Sequence, residues 1–215
     1  MKKILFLDCD STLCAIEGVD ELAALRGPEI EKKVIDLTNQ AMDGTVPIDE
    51  VFARRLDLIQ PTRPMCDQVA KMYIEKLSPN AEKTISQLRN EGWEMVIISG
   101  GFTQVIEPVA AQLGIDQIFA VDLFFDSQGN YQSFDEQSLT ARNGGKPNII
   151  QSFKNDNPSL ITVMIGDGIS DLETNTVVNL FVGYGGVITR EAVQAQATAF
   201  IVNFNELPQA IQSYL

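Results

Sequence analysis

An open α/β fold around a parallel sheet is predicted by two features of this sequence. Five short aliphatic runs punctuate it: Ile4–Leu7, Met95–Ile98, Ile161–Ile165, Leu180–Val182 and Ala199–Val202. Unbroken runs of this kind suit strands covered on both faces. Helical patterns lie between them, and strands alternating with helices build a parallel sheet.

The first run, Ile4–Leu7, opens at Asp8 into a polar loop. It follows Met1-Lys2-Lys3 but is too short for the apolar core of a secretory signal. The stretch from about Cys14 to Leu77 exceeds one crossover helix. Ile30, Val34, Ile35, Leu37, Ala41 and Met42 fit one helix, and Val51, Phe52, Leu56 and Ile59 a second. Pro61 and Pro64 break the pattern before a third near Gln68–Lys76. We expect a helical cap over residues 15–77, inserted into a core of residues 1–14 and 78–215. Ser78-Pro79 and Gly92 bracket another helix. Val105, Ile106, Val109, Ala110 and Leu113 form a single apolar stripe, the pattern of an amphipathic helix. Val121, Leu123 and Phe125 alternate, Ser127-Gln128-Gly129-Asn130 supplies a turn, and Tyr131 and Ser133 return. This predicts a small β-hairpin within 120–134.

Bulk composition narrows the function. The chain has 215 residues, 45% of them apolar, enough for a substantial core. Its 16 Lys and Arg against 29 Asp and Glu leave a net charge of −13. An acidic surface argues against nucleic acid and against anionic membranes as partners. An anionic substrate then needs local positive charge, from a metal ion and a few placed Lys or Arg. With no histidine, Ser-His-Asp, Cys-His and His-metal chemistry are excluded. The three cysteines, Cys9, Cys14 and Cys66, read as reduced thiols of a cytoplasmic protein rather than a disulfide framework. No segment is long enough to span a bilayer.

The chemistry gathers where strands end. Ile4–Leu7 runs into Asp8-Cys9-Asp10-Ser11-Thr12, Met95–Ile98 into Ser99-Gly100-Gly101, and Ile161–Ile165 into Gly166-Asp167-Gly168, with Asp171 beyond. Ligands of open α/β sheets bind outside the carboxyl ends of the strands. The Gly144-Gly145-Lys146 loop adds a cation there. Crowded carboxylates raise one another's pKa unless a cation intervenes. Mg²⁺ takes oxygen ligands from one or two carboxylates and a substrate phosphate. A free Asp can act as nucleophile towards phosphorus. Ser99 and Thr12 hydroxyls, the Gly100 and Gly101 amides at a helix start, and the Lys146 ammonium suit phosphoryl oxygens.

Asp8-Cys9-Asp10-Ser11-Thr12, Ser99-Gly100-Gly101-Phe102, Lys146 and Gly166-Asp167-Gly168-Ile169-Ser170-Asp171 together resemble the four motifs of the haloacid dehalogenase superfamily of phosphatases. Glu17-Gly18-Val19-Asp20-Glu21-Leu22, Ala41-Met42-Asp43-Gly44, Arg55, Phe134-Asp135-Glu136 and Gly183-Tyr184-Gly185-Gly186 point to the branch acting on O-phosphoserine.

The resemblance implies a Rossmann-like three-layer core and hydrolysis of phosphoserine through an aspartyl-phosphate, the last step of serine biosynthesis. It implies Asp8 as nucleophile and Asp10 as proton donor and then base. Mg²⁺ would be held by the Asp8 carboxylate, the Asp10 carbonyl and Asp167, with Asp171 one layer out. Thr12, Ser99, Gly100 and Lys146 would hold phosphate. Glu17 would meet the substrate ammonium and Arg55 its carboxylate, with Met42, Gly101 and Ser170 as further substrate neighbours. Arg54 is the alternative to Arg55. Cys9, Ser170 and Ile48 depart from the pattern, which bears on substrate preference rather than on the reaction. Phosphoryl transfer to an alcohol, another small phosphomonoester, and a phospho-accepting signalling domain remain as alternatives. A homodimer is compatible with the sequence.

Overall fold

The computed structural model describes the backbone of residues 1–42 and 48–215, and the side chains of 1–38 and 50–215. In chain order the elements are β1 (Lys3–Leu7), α1 (Gly18–Leu25), α2 (Pro28–Met42), α3 (Ile48–Ile59), α4 (Arg63–Glu75), α5 (Ala81–Asn90), β2 (Trp93–Phe102), α6 (Thr103–Leu113) and β3 (Gln117–Val121). Then follow β4 (Leu123–Phe125), β5 (Tyr131–Phe134), α7 (Gly145–Asp156), β6 (Ile161–Gly166), α8 (Ile169–Leu172), β7 (Leu180–Tyr184), α9 (Glu191–Gln196), β8 (Ala199–Ile201) and α10 (Leu207–Tyr214).

Six strands form one parallel sheet in the order β3-β2-β1-β6-β7-β8. Alternation along β1 explains its unbroken apolar run. Leu5 and Leu7 join a core cluster with Ile85, Val105 and Leu207, whereas Ile4 and Phe6 pack with Ile149, Ile150 and Val193 on the other face. Helices therefore cover both sides, the three-layer arrangement. The order reverses direction at β1, between β2 and β6, which puts the tip of β1 at the topological switch point.

Among the described residues, four helices, α1 to α4, lie between β1 and α5. The two ends of this insertion are stitched together. Cys14 bridges Leu77 in antiparallel fashion, the Ala15 N–H donates to the Lys76 carbonyl at 2.8 Å, and the Ser78 hydroxyl donates to the Thr12 carbonyl at 2.5 Å. The far side rests on the core through aromatic contacts. The Phe52 ring lies 5.9 Å from Phe102 and 5.2 Å from Phe134, and the Arg63 N–H donates to the Gly129 carbonyl at 2.9 Å.

Three expectations need correction. The hairpin pairs only Leu123–Phe125 with Tyr131–Phe134; Val121 belongs instead to β3, the sixth strand of the main sheet. As an edge strand β3 is half solvated, so it lacks the continuous apolar run that marks an inner strand. Pro64 does not break the third insertion helix but stands in its first turn, where its missing N–H costs nothing. Gly100 and Gly101 do not start a helix. They lie in an extension of β2 that regains pairing with β3 at Phe102–Val121 after a register shift. Among the described residues no helix is long and apolar enough to cross a membrane.

Candidate active site

β1 delivers Asp8 at its tip, and the Asp8 N–H continues the ladder to the Ile165 carbonyl at 3.0 Å. Alternation then sends Cys9 into the core beside Cys14, with the two sulfurs 4.0 Å apart. All three thiols are free and buried. Ser11 adopts a left-handed φ of 52°, uncommon for a non-glycine residue, and its hydroxyl donates to Glu17 Oε1 at 2.6 Å.

Lys146 enters from the first turn of α7, the positive end of that helix, where a cation is disfavoured. Two carboxylates offset this: its ammonium donates to Asp8 Oδ1 at 2.7 Å and to Asp171 Oδ1 at 2.6 Å. Lys146 is only 5% exposed, and these acids hold its pKa above the ordinary value despite burial. Two glycines make the approach sterically feasible. A Cβ at Gly166 would run into the Asp171 carboxyl, and one at Gly145 into the Leu139 carbonyl.

Asp167 and Asp171 are propped from behind. Asp167 accepts from the Thr12 hydroxyl at 3.1 Å and from Arg190 Nε at 3.0 Å. Asp171 uses its second oxygen for the Gly168 N–H at 2.9 Å. Burial, reinforced by Asp8, pushes the Asp167 carboxyl up to about 6 and that of Asp171 to about 7. Burial also raises Asp10, whose carboxylate accepts from the Gly18 N–H at 2.7 Å, from the Tyr73 phenol and from the Ser99 hydroxyl at 3.3 Å. Glu17 is pushed up to about 8 by burial, then by Asp10.

Ligand oxygens of Asp8, Asp167 and Asp171 all lie within 4.8 Å of one another. Five crowded acids face two bonded cations here, Lys146 and Arg190, and the donors are all oxygen. This set fits a hard divalent ion. Asp167 and Asp171 each have both oxygens engaged by protein donors.

Other expected residues are placed as follows. Ser99 is fully buried, and its hydroxyl accepts from the Gly101 N–H at 3.0 Å. Gly100 is exposed beside it. Thr12 directs its hydroxyl to Asp167. Arg54 is exposed and pairs with Glu50, whereas Arg55 turns inward. The Arg55 guanidinium lies 5.7 Å from the Phe52 ring, donates to Thr38 at 3.3 Å, and stands in the field of Asp20, Glu17 and Asp10. Its Nε is buried without a partner among the described residues. Ser170 is exposed at the start of α8. The Met42 side chain, Asp43-Gly44 and the Ile48 side chain lie outside the described residues. Sequence reasoning missed Tyr73 and Arg190, because neither stands in a motif.

The fold and this buried acid cluster define a class. A family model described as haloacid dehalogenase-like hydrolase matches residues 5–174, and the chain belongs to that family. Its relatives are more particular. It is 40% identical over 204 residues to a chloroplastic phosphoserine phosphatase of Arabidopsis thaliana, covering 93% of this chain and 68% of that protein. It is 38% identical over 205 residues to a phosphoserine phosphatase of Homo sapiens, covering 93% and 89%. Among solved structures, a phosphoserine phosphohydrolase-like protein from Francisella tularensis superposes with a TM-score of 0.84 at 27% identity, covering 98% and 100%.

Proposed function

We propose that this protein hydrolyses O-phosphoserine to serine and phosphate, with Mg²⁺ as cofactor, in the cytoplasm. The observation that carries this is the buried meeting of Asp8, Asp10, Asp167 and Lys146 at the strand tips, with Glu17 and Arg55 turned towards it from the insertion. Residues 15–77 act as the cap over that meeting point.

Asp8 is the nucleophile. Lys146 holds its Oδ1, and Oδ2 has no hydrogen-bond partner among the described residues. Attack forms the Asp8–phosphorus bond and breaks the bond from phosphorus to the serine oxygen. Asp10 gives its proton to that departing oxygen; its raised pKa suits it to carry one. In the second half Asp10 takes a proton from water as the water oxygen bonds phosphorus and Asp8 departs. Ser99, Gly100 and Lys146 hold the phosphoryl oxygens, and Thr12 steadies Asp167. The Asp8 carboxylate, the Asp10 carbonyl and Asp167 would hold Mg²⁺, which when bound would supply charge neutralisation at phosphoryl oxygens. Arg55 binds the substrate carboxylate and Glu17 its ammonium, the charges that free phosphoserine presents.

Phosphate release across a panel of phosphomonoesters tests this. Phosphoserine should exceed p-nitrophenyl phosphate by about tenfold or more in kcat/KM, and chelation should stop turnover. Equal rates on both esters would overturn the substrate assignment. Metal binding should also appear in thermal melts. Asp167 and Asp171, ordinarily near 3.8, titrate in the fold at about 6 and about 7. Between the two ranges the folded state binds more protons, so metal-free stability falls as pH rises from about 4 to about 7. Mg²⁺ competes with those protons, so its stabilisation should be larger near pH 8 than near pH 5.

Arg55→Ala should lower kcat/KM for phosphoserine by about 10- to 100-fold, the value of a charged hydrogen bond. An ester lacking the carboxylate should change little. Equal losses on both would make Arg55 a structural residue.

A further inference from the structure

Asp10 is held asymmetrically. Its Oδ1 accepts two hydrogen bonds, from the Gly18 N–H at 2.7 Å and from the phenol of Tyr73. Among the described residues its Oδ2 meets only the Ser99 hydroxyl, at a long 3.3 Å. A protonated carboxyl carries hydrogen on one oxygen and accepts best at the other. Two donors on Oδ1 claim its lone pairs and leave Oδ2 as the oxygen for the proton.

The surroundings of Oδ2 agree. A Cβ at Gly101 would come within 2.6 Å of Oδ2 and 3.2 Å of Ser99 Oγ, so glycine keeps that side clear beside the phosphate-holding serine. Oδ1 is walled in. A Cβ at Gly18 would run into the Tyr73 hydroxyl and lie 3.4 Å from Oδ1. Tyr73 is fully buried on α4, 63 residues from Asp10 in sequence, and its hydroxyl has no other partner among the described residues.

We propose that Tyr73 is a positioning residue for the proton transfer: with the Gly18 amide it pins Oδ1 of Asp10, so that Oδ2 alone delivers the proton to the leaving oxygen and later receives one from water. This rests on the role assigned to Asp10 above. The consequence is that the insertion, through Tyr73, sets the acid of the core.

Tyr73→Phe removes a single oxygen and tests the proposal through leaving-group dependence. Serine departs poorly without a proton, whereas p-nitrophenolate departs as a stable anion. General acid catalysis is worth about 10²–10⁴-fold. Losing the pin should therefore lower kcat/KM for phosphoserine by about 10- to 100-fold, and for p-nitrophenyl phosphate by less than about threefold. Asp10→Asn, measured alongside, should show the same split more strongly. A Tyr73→Phe loss shared equally by both esters, beside a split in Asp10→Asn, would make Tyr73 a packing residue and overturn the proposal alone. Equal losses in Asp10→Asn would overturn the proton-donor role itself, and the proposal with it. Should Tyr73→Phe not fold, Gly18→Ala displaces the same hydroxyl and must give the same split; equal losses there overturn the proposal as well.

Discussion

Asp8→Asn is expected to abolish turnover, by roughly 10⁴- to 10⁶-fold, the scale on which hydrolases lose activity with their nucleophile. An amide cannot form the aspartyl-phosphate, and among the described residues no other carboxylate stands ready to replace it. Asp10 has each oxygen engaged by Gly18, Tyr73 or Ser99, and Asp171 is tied to Lys146 and Gly168. The same change should leave the metal-free fold intact or firmer. Asp8 is a like charge that raises Asp10, Glu17, Asp167 and Asp171 alike. Asn removes that repulsion while its carbonyl still accepts from Lys146. Thermal melts should show no loss, and acid-quenched enzyme should carry label from radioactive phosphoserine only in the wild type. Turnover near the wild-type rate, or labelled Asn variant, would remove Asp8 from its role.

Lys146→Met should damage both activity and stability. The ammonium is buried against two carboxylates at 2.7 and 2.6 Å. Removing one partner of a buried ion pair costs about 3–5 kcal/mol, because the remaining charge is left without compensation. For a chain of this size that lowers Tm by roughly 10 °C. Loss of a preorganised cation at the phosphoryl group should cost about 10²–10³ in kcat. The double variant Lys146→Met/Asp171→Asn separates the two effects. It removes one of the two orphaned carboxylates, so stability should return in part while activity stays lost. If the double variant regained activity, Lys146 would be serving the fold rather than the phosphate.

Much of the site was legible because its residues follow strands directly. A strand that ends in Asp-x-Asp declares by alternation that both acids face one way and Cys9 the other, and the structure places Cys9 in the core. The meeting of Gly166 with Asp171, five positions on, came from the structure. Arg54 and Arg55 could not be told apart by type. Their separation came from which face of α3 packs towards Phe102 and Phe134 through Phe52. β3 was misread because an edge strand carries only half the apolar pattern of an inner one.

By itself the sequence determined the inner strands and their alternation with helices, the absence of histidine chemistry, and the acids that strand tips must bring to one edge. These follow from local periodicity, composition and the parallel sheet. Only the tertiary structure decided that the Tyr73 phenol reaches Asp10 and that Arg190 reaches Asp167. It also decided that Arg55 rather than Arg54 turns inward. The physical reason is range: periodicity reports which side of an element is buried, whereas a hydrogen bond between distant elements depends on how their surfaces pack.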